Sequence, residues 1–293
     1  MRGGIFDHNY QIESWDFRSY LKKASRSVYS KNQEVIDSFP ELFTFQTLRE
    51  KAIKSKDPDF TRLALEYLPL KFSRRHGDFR MPWYKFSINT RNELDGSKIL
   101  DYEGNWRDIF QNWEALAHAY PEFIESMIFK FLNASTFDGY NPYRVTKDGF
   151  DWEIIEENDP WSYIGYLGDH QIIYLLKFLE ISQNYYPDKL AGFFNKDLFV
   201  YANVPYKIKS YEEVLRAPKD TIVFDEDLDH KIRENRDLLG SDGALITDVN
   251  GNIHRVNLLE KLLATVLAKL SNFIPEGGIW LNTQRPEWND ANN

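Results

Sequence analysis

The stretch Asn105-Trp106-Arg107-Asp108-Ile109-Phe110-Gln111-Asn112-Trp113-Glu114-Ala115-Leu116-Ala117-His118-Ala119-Tyr120-Pro121-Glu122-Phe123-Ile124-Glu125-Ser126-Met127-Ile128-Phe129-Lys130-Phe131-Leu132 decides the fold class. Apolar residues recur at helical spacing on both sides of Pro121. They predict one helix over Trp106–Tyr120 and a second over Glu122–Leu132. Pro121 breaks the first and sits in the opening turn of the second, where its missing N–H costs nothing. Two helices joined this tightly form a helical hairpin, the repeating unit of all-α bundles and toroids.

The same periodicity extends outward. It predicts helices over Trp15–Val28, Pro40–Lys54, Phe60–Phe72, Asp169–Tyr185, Tyr211–Arg216, Asp227–Leu239 and Leu258–Phe273. Strand signals are short. Asn250-Gly251 splits two alternating runs in Ala244–Val256, which predicts a hairpin with a two-residue turn. Lys85–Leu100, around Asp95-Gly96, predicts a second. The expected organisation is an N-terminal helical segment over residues 1–73, then a mainly α domain over 74–293. A more polar insertion lies at about 201–257.

Composition narrows the function. The chain has 293 residues, a formal net charge of −9, 42% hydrophobic residues and no cysteine. That hydrophobic content supports a real core. The acidic balance argues against general binding to nucleic acid or anionic lipid. Without cysteine there is no disulfide scaffold, thiol nucleophile or thiolate metal site. The N-terminus lacks an apolar signal segment, and no apolar run is long enough to span a membrane. The expectation is a soluble, cytoplasmic protein. The 16% aromatic content fits broad apolar helix faces or a stacking surface for flat ligands such as sugar rings.

Three constellations could carry chemistry. In the first, Arg107, Gln111, Glu114 and His118 share one face of the predicted helix. Aromatic and aliphatic residues flank this narrow polar stripe, as on an inner helix lining a wet pocket. There Arg107 and Asp108 would hydrogen-bond sugar hydroxyls, with Trp106 or Trp113 as a stacking face. The alternative is a partly exposed helix with an ordinary charge pattern. The second runs Asp159-Pro160-Trp161-Ser162-Tyr163-Ile164-Gly165-Tyr166-Leu167-Gly168-Asp169-His170 into a strongly apolar helix. Asp169 and His170 are candidate ligand-binding residues, though N-capping alone explains Asp169. The third is Gly277-Gly278-Ile279-Trp280-Leu281-Asn282-Thr283-Gln284-Arg285-Pro286-Glu287-Trp288-Asn289-Asp290. A carboxylate beside an indole such as Trp288 can be desolvated toward a general-acid pKa. A smaller cationic loop, Arg74-Arg75-His76-Gly77-Asp78-Phe79-Arg80, suits an anion or a sugar, or simply surface ion pairs.

Other patterns carry less. The acidic run Asp225–Asp229 reads as a helix start. Asp248, Asn250 and Asn252 resemble the opening of a calcium loop, but position twelve is Leu259 rather than Glu. No P-loop, GxSxG elbow or HExxH helix is present, the six His are scattered, and no metal site is expected.

Taken in order, the three constellations resemble the inverting disaccharide phosphorylases related to cellobiose and chitobiose phosphorylase. These belong to the six-hairpin glycosidases, whose catalytic domain is an (α/α)6 barrel. The family's F-R-D-x-x-Q-D motif stands here as Trp106-Arg107-Asp108-Ile109-Phe110-Gln111-Asn112. Its acidic-Asp-His-Leu-Trp-Leu helix start stands as Gly168-Asp169-His170-Gln171-Ile172-Ile173. Its G-D-W-N-D-G motif stands as Pro286-Glu287-Trp288-Asn289-Asp290-Ala291. Residues from about Arg74 to Asn293 also resemble bacterial cellobiose-phosphorylase-like proteins that are much longer. Asn112, Gly168, Ile172, Glu287 and Ala291 depart from the family pattern.

The resemblance implies a mainly α fold, part of an (α/α)6 toroid with a small β-hairpin insertion. It implies Asp290 as general acid and Arg107 and Asp108 as sugar ligands. Gln111, Asp169, His170 and Trp288 are the further substrate-binding candidates. The expected partner is a carbohydrate. No cofactor is expected, only inorganic phosphate as co-substrate if the reaction is phosphorolysis. An inverting hydrolase would instead need a second carboxylate, about 6.5–9.5 Å from the first, with Glu114 and Asp169 as candidates. The alternative function is a non-catalytic sugar-binding or structural α-toroid. About nine helices are legible where a six-hairpin barrel needs twelve, so a truncated protein or fragment, inactive alone, is expected. A partial barrel would leave apolar faces uncovered.

Overall fold

The computed structural model describes residues 8–70, 102–142, 144–152, 154, 171–217, 220–271, 273–276 and 279–280. The cationic loop at 74–80 and the hairpin predicted at Lys85–Leu100 lie outside the described residues.

Each helix starts and stops for local reasons. Helix α1 (Ser14–Ala24) buries Phe17, Tyr20, Leu21 and Ala24, one face at helical spacing. The single helix expected over Trp15–Val28 is broken at Ser25, whose backbone is extended, and α2 (Arg26–Lys31) follows. The short helix α3 (Gln33–Asp37) was not legible in the periodicity. Helix α4 (Phe45–Ser55) begins later than expected because Thr44 caps it, its side chain accepting from the Thr47 N–H. The preceding Leu42–Phe43 pairs antiparallel with Ile12–Glu13. Helix α5 (Pro58–Glu66) is capped by Asp57, with proline in its first turn. It ends at Glu66 because Tyr67 is already extended, two residues before Pro69, and a pre-proline residue resists the helical region.

The hairpin that decides the fold is present. Helix α6 (Trp106–Ala119) leads through a 3-10 turn at Pro121–Phe123 into α7 (Ile124–Asn133). Every residue of α7 is buried, so it is the central helix of the described structure. Its charged residues and Asn133 are met, while the buried Ser126 hydroxyl has no hydrogen-bond partner. Glu125 lies 2.7 Å from Arg49 and 2.8 Å from Lys189. Lys130 donates to Glu66 at 3.1 Å and to the Lys147 carbonyl at 2.9 Å. Asn133 donates to Glu66 at 2.9 Å and accepts the Val200 N–H at 3.1 Å. Buried charges survive only with partners of this kind.

Helix α8 (Gln171–Tyr185) packs on α6 and α7. Beyond it come α9 (Tyr211–Arg216), α10 (Glu226–Leu239) and α11 (Leu258–Ser271), with four short strands among them. Strand Phe199–Val200 pairs with Arg255–Val256, and Tyr206–Ile208 with Ile222–Phe224. A Ser210–Glu213 capping box starts α9, and Asp225 caps α10. The acidic run is therefore a helix start.

The hairpin expected at Ala244–Val256 is shallower than predicted. Its arms are joined from Ile246–His254 inward, and outside that Leu245 bridges Ala202 while Arg255–Val256 joins Phe199–Val200. Its turn holds three residues, Val249–Gly251, because the Asp248 carboxylate accepts the N–H groups of both Asn250 and Asn252. Gly251 takes the left-handed conformation (φ +80°) that closes such a turn. These bonds hold the Asp248 carboxyl below its ordinary pKa.

One continuous core runs from Ile12 to Leu258, and most aromatic side chains among the described residues go into it. Phe17 alone contacts the rings of Phe39, Phe43, Phe60 and Tyr67 with centroids 5.1–6.2 Å apart. Residues 12–70 are bolted to the rest by buried charge. Arg62 meets Asp242 at 2.6 Å, and Lys147 meets Asp16 at 2.6 Å. The described residues are mainly helical. No helix among them is long and apolar enough to cross a membrane.

Candidate functional site

The site is organised by the relative direction of three helices. Lys177, in the second turn of α8, donates to both oxygens of Glu114, in the third turn of α6, at 2.8 and 2.9 Å. One end further on, His118 of α6 meets the ring of Tyr185 in α8, centroids 6.3 Å apart. The two helices therefore run parallel, and their N-termini lie at one end. Helix α7 runs back in the opposite direction beside them. Phe110, near the start of α6, packs on Phe131, near the end of α7, at 5.0 Å, and on Phe178 of α8 at 5.6 Å. The same end of the hairpin thus holds the start of α6, the start of α8 and the exit of α7.

A three-stranded antiparallel sheet adjoins this end. Glu103–Asn105 leads directly into α6 and pairs with Arg144–Thr146, which pairs in turn with Phe150–Asp151. Two helix N-termini side by side concentrate free N–H groups and partial positive charge. Such an end favours hydroxyl and anionic groups of a ligand.

The backbones of Arg107 and Asp108 lie in the first turn of α6, as expected, and their side chains lie outside the described residues. Gln111 is exposed one turn further along. Asp169, His170, Trp288 and Asp290 lie outside the described residues. Asp169 and His170 immediately precede Gln171, the first described residue of α8. The structure thus brings Arg107, Asp108 and Gln111 onto one turn and a half of helix.

Two expectations about the polar stripe change. Trp113 is buried, edge-on to Tyr102 at 5.2 Å and to Phe110 at 5.0 Å. It is a core residue and offers no stacking face. Glu114 is engaged by Lys177 through both oxygens. To serve as a base for water it would have to surrender that ion pair. Among the described residues no cluster of three His, Asp or Glu side chains is placed to hold a metal ion.

One polar group near this end was missed in the sequence. Asn141, in the connection from α7 to the strand beside α6, is buried with its amide nitrogen unbonded. A buried unsatisfied amide is rare and costly. Only three-dimensional context reveals it, since Asn141 belongs to no periodic pattern. Lys177 was missed for the same reason: its partner is 63 residues away.

Comparison with known families bears on a different part of the chain. The model described as glycoside hydrolase family 149 insertion domain 1 matches residues 6–69. No curated protein matches the chain. The matched residues span α1 to α5, the block joined to the rest through Asp16, Arg62 and Glu66. By this similarity residues 6–69 are a glycosidase-related region.

Proposed function

We propose that the protein is a carbohydrate-active enzyme that cleaves or forms a glycosidic bond with inversion, acting on a disaccharide or oligosaccharide. The parallel arrangement of α6 and α8 carries the reading. It sets the N-termini of these two helices at one end of the hairpin, which supports reading them as inner helices of an (α/α)6 toroid with the first two motifs at their starts. The glycosidase-related character of residues 6–69 is a second support, independent of those motifs. A third is exposed apolar surface. Ile173 and Leu176 on α8, and Leu259, Leu263, Leu267 and Leu270 on α11, face outward. Faces of this kind are what helices of a larger ring present to further helices.

In this reading Arg107 and Asp108 hold the sugar next to the scissile bond. Gln111, Asp169, His170 and Trp288 complete the subsite. Asp290 protonates the departing oxygen, with the Trp288 indole disfavouring its ionised form. In phosphorolysis inorganic phosphate is the nucleophile, so one protein carboxylate suffices. Hydrolysis needs a second carboxylate to activate water. The engagement of Glu114 by Lys177 favours phosphorolysis over a hydrolysis based on Glu114. A non-catalytic sugar-binding toroid is the second reading, favoured by the motif departures at Asn112, Gly168, Ile172 and Ala291.

A panel of disaccharides separates them. Turnover that requires inorganic phosphate identifies a phosphorylase, and turnover in water alone a hydrolase. Saturable sugar binding without turnover in the intact protein identifies the binding toroid. Absence of both binding and turnover would refute the carbohydrate reading.

A further inference from the structure

At the opposite end of the α6–α7 hairpin, an open cleft of about 1040 Å³ lies between α4–α5, the turn after α8 and the Asp248 turn. It is remote from the α6 and α8 N-termini: its wall carries Arg49 and Lys189, which meet at Glu125, the second residue of α7. The volume suits a small-molecule ligand.

The lining is unlike the acidic chain around it. Five cations border the cleft: Arg49, Lys56, Lys189, Lys196 and Arg255. Three carboxylates face them, and two of these are already engaged. Asp248 accepts the N–H groups of its own turn, and Asp59 meets Arg255 at 2.9 Å. The third, Asp197, is exposed.

Two of the cations are held in advance of any ligand. Glu125 is fully buried, and its carboxylate fixes both the Arg49 guanidinium and the Lys189 ammonium. These come from chain segments 140 positions apart in the sequence (189 − 49 = 140). Both side chains line the cleft and remain partly exposed, 21% and 31%. One carboxylate cannot neutralise two cations, so this clamp keeps a net positive charge. Lys56 and Lys196 add exposed side chains that meet no carboxylate among the described residues, Lys196 resting over the Phe193 ring at 5.8 Å. A preorganised cationic pair with further cations around the cleft favours a ligand with more than one negative charge.

We propose that this cleft is a second binding site, for a small phosphorylated molecule carrying two or more negative charges. Arg49 and Lys189 form its fixed anchor, and Lys56, Lys196 and Arg255 are its adjustable contacts. A neutral sugar would leave these cations unused, and a single phosphate held by Arg49 and Lys189 would leave the cations beyond that anchor unused.

Calorimetric titration with inorganic pyrophosphate tests the proposal. Inorganic phosphate serves as comparison, and the double variant Lys56→Gln with Lys196→Gln as the site control. Both residues are exposed, and glutamine tolerates the left-handed backbone of Lys56 (φ +57°) about as lysine does, so the fold is spared. The expected result is one saturable pyrophosphate site, weakened about tenfold or more in the double variant and by raising salt from about 0.05 to 0.5 M. Absence of saturable binding overturns the proposal. So does pyrophosphate binding that the double variant leaves unchanged, or inorganic phosphate binding as tightly as pyrophosphate. None of these outcomes depends on catalysis at the other end of the hairpin.

Discussion

Lys177 bonds both carboxylate oxygens of Glu114, at 2.8 and 2.9 Å, and this pair fixes which ends of α6 and α8 lie together. The interaction orients more than it stabilises. Lys177 is 42% exposed, and partly exposed ion pairs contribute about 0–1 kcal/mol. The packing of Phe110 on Phe178 carries the helix contact instead. Lys177→Ala should therefore lower the melting temperature by only a few degrees. A loss of several kcal/mol in urea unfolding would show that the pair itself holds the helices.

The buried pair Arg62–Asp242 is expected to behave differently. Burial alone would lower the Arg62 pKa, but the Asp242 and Glu66 carboxylates reverse this and raise it. Arg62→Met leaves the Asp242 carboxyl in the core without its ion partner, where burial already raises its pKa. Breaking one side of such a pair costs about 3–5 kcal/mol. The double variant Arg62→Met with Asp242→Leu should recover much of the loss. Urea unfolding of the three variants checks this. A double variant as unstable as Arg62→Met alone would contradict it.

Lys261 gives the pH prediction. It is fully buried, donating to the Ser135 carbonyl at 3.2 Å with its ammonium 3.6 Å from the Tyr201 ring centroid. Burial pushes its pKa well below the ordinary lysine value. The unfolded chain then binds a proton at Lys261 more readily than the folded one. Between the folded and unfolded pKa values, stability therefore rises with pH, and the penalty is greatest below the folded value. Lys261→Met should raise the melting temperature at neutral pH and flatten its rise toward pH 10. A variant less stable than the wild type at pH 7 would mean that the Ser135 and Tyr201 contacts outweigh desolvation.

Arg107 is expected to serve the ligand and not the fold. Arg107→Ala should weaken sugar binding in the intact protein and shift the melting temperature by no more than a few degrees. Unchanged affinity with a large stability loss would assign it to the framework.

The α6–α7 hairpin was legible because its burial follows a single helical period on each side of a proline. Tyr211–Arg216 was legible from the same helical periodicity, and its Ser210–Glu213 capping box fixes where it starts. The break at Ser25 was not, since the apolar pattern of Phe17, Tyr20, Leu21 and Ala24 continues into Val28 without a punctuating residue. The late start of α4 was readable in principle from Thr44, but Pro40 is the more conspicuous helix opener. The α5 terminus was also readable, from Pro69. What sequence could not supply was long-range pairing. Glu114 read as a pocket carboxylate until Lys177 appeared beside it, and Trp113 read as a platform until its burial between Tyr102 and Phe110. The buried ties of residues 12–70, such as Lys147 to Asp16, join positions that no local period relates.

The central claim, that Asp290 is the general acid of an inverting glycosidic reaction, is tested most directly by Asp290→Asn in the intact protein with two donors. One is a natural disaccharide, whose leaving oxygen needs a proton. The other is a glycosyl fluoride of matching anomeric configuration, whose leaving group does not. Loss of a general acid typically costs about 10²–10⁴-fold. The prediction is a loss of that size in turnover of the disaccharide, with the fluoride largely spared. An equal loss on both donors would contradict it.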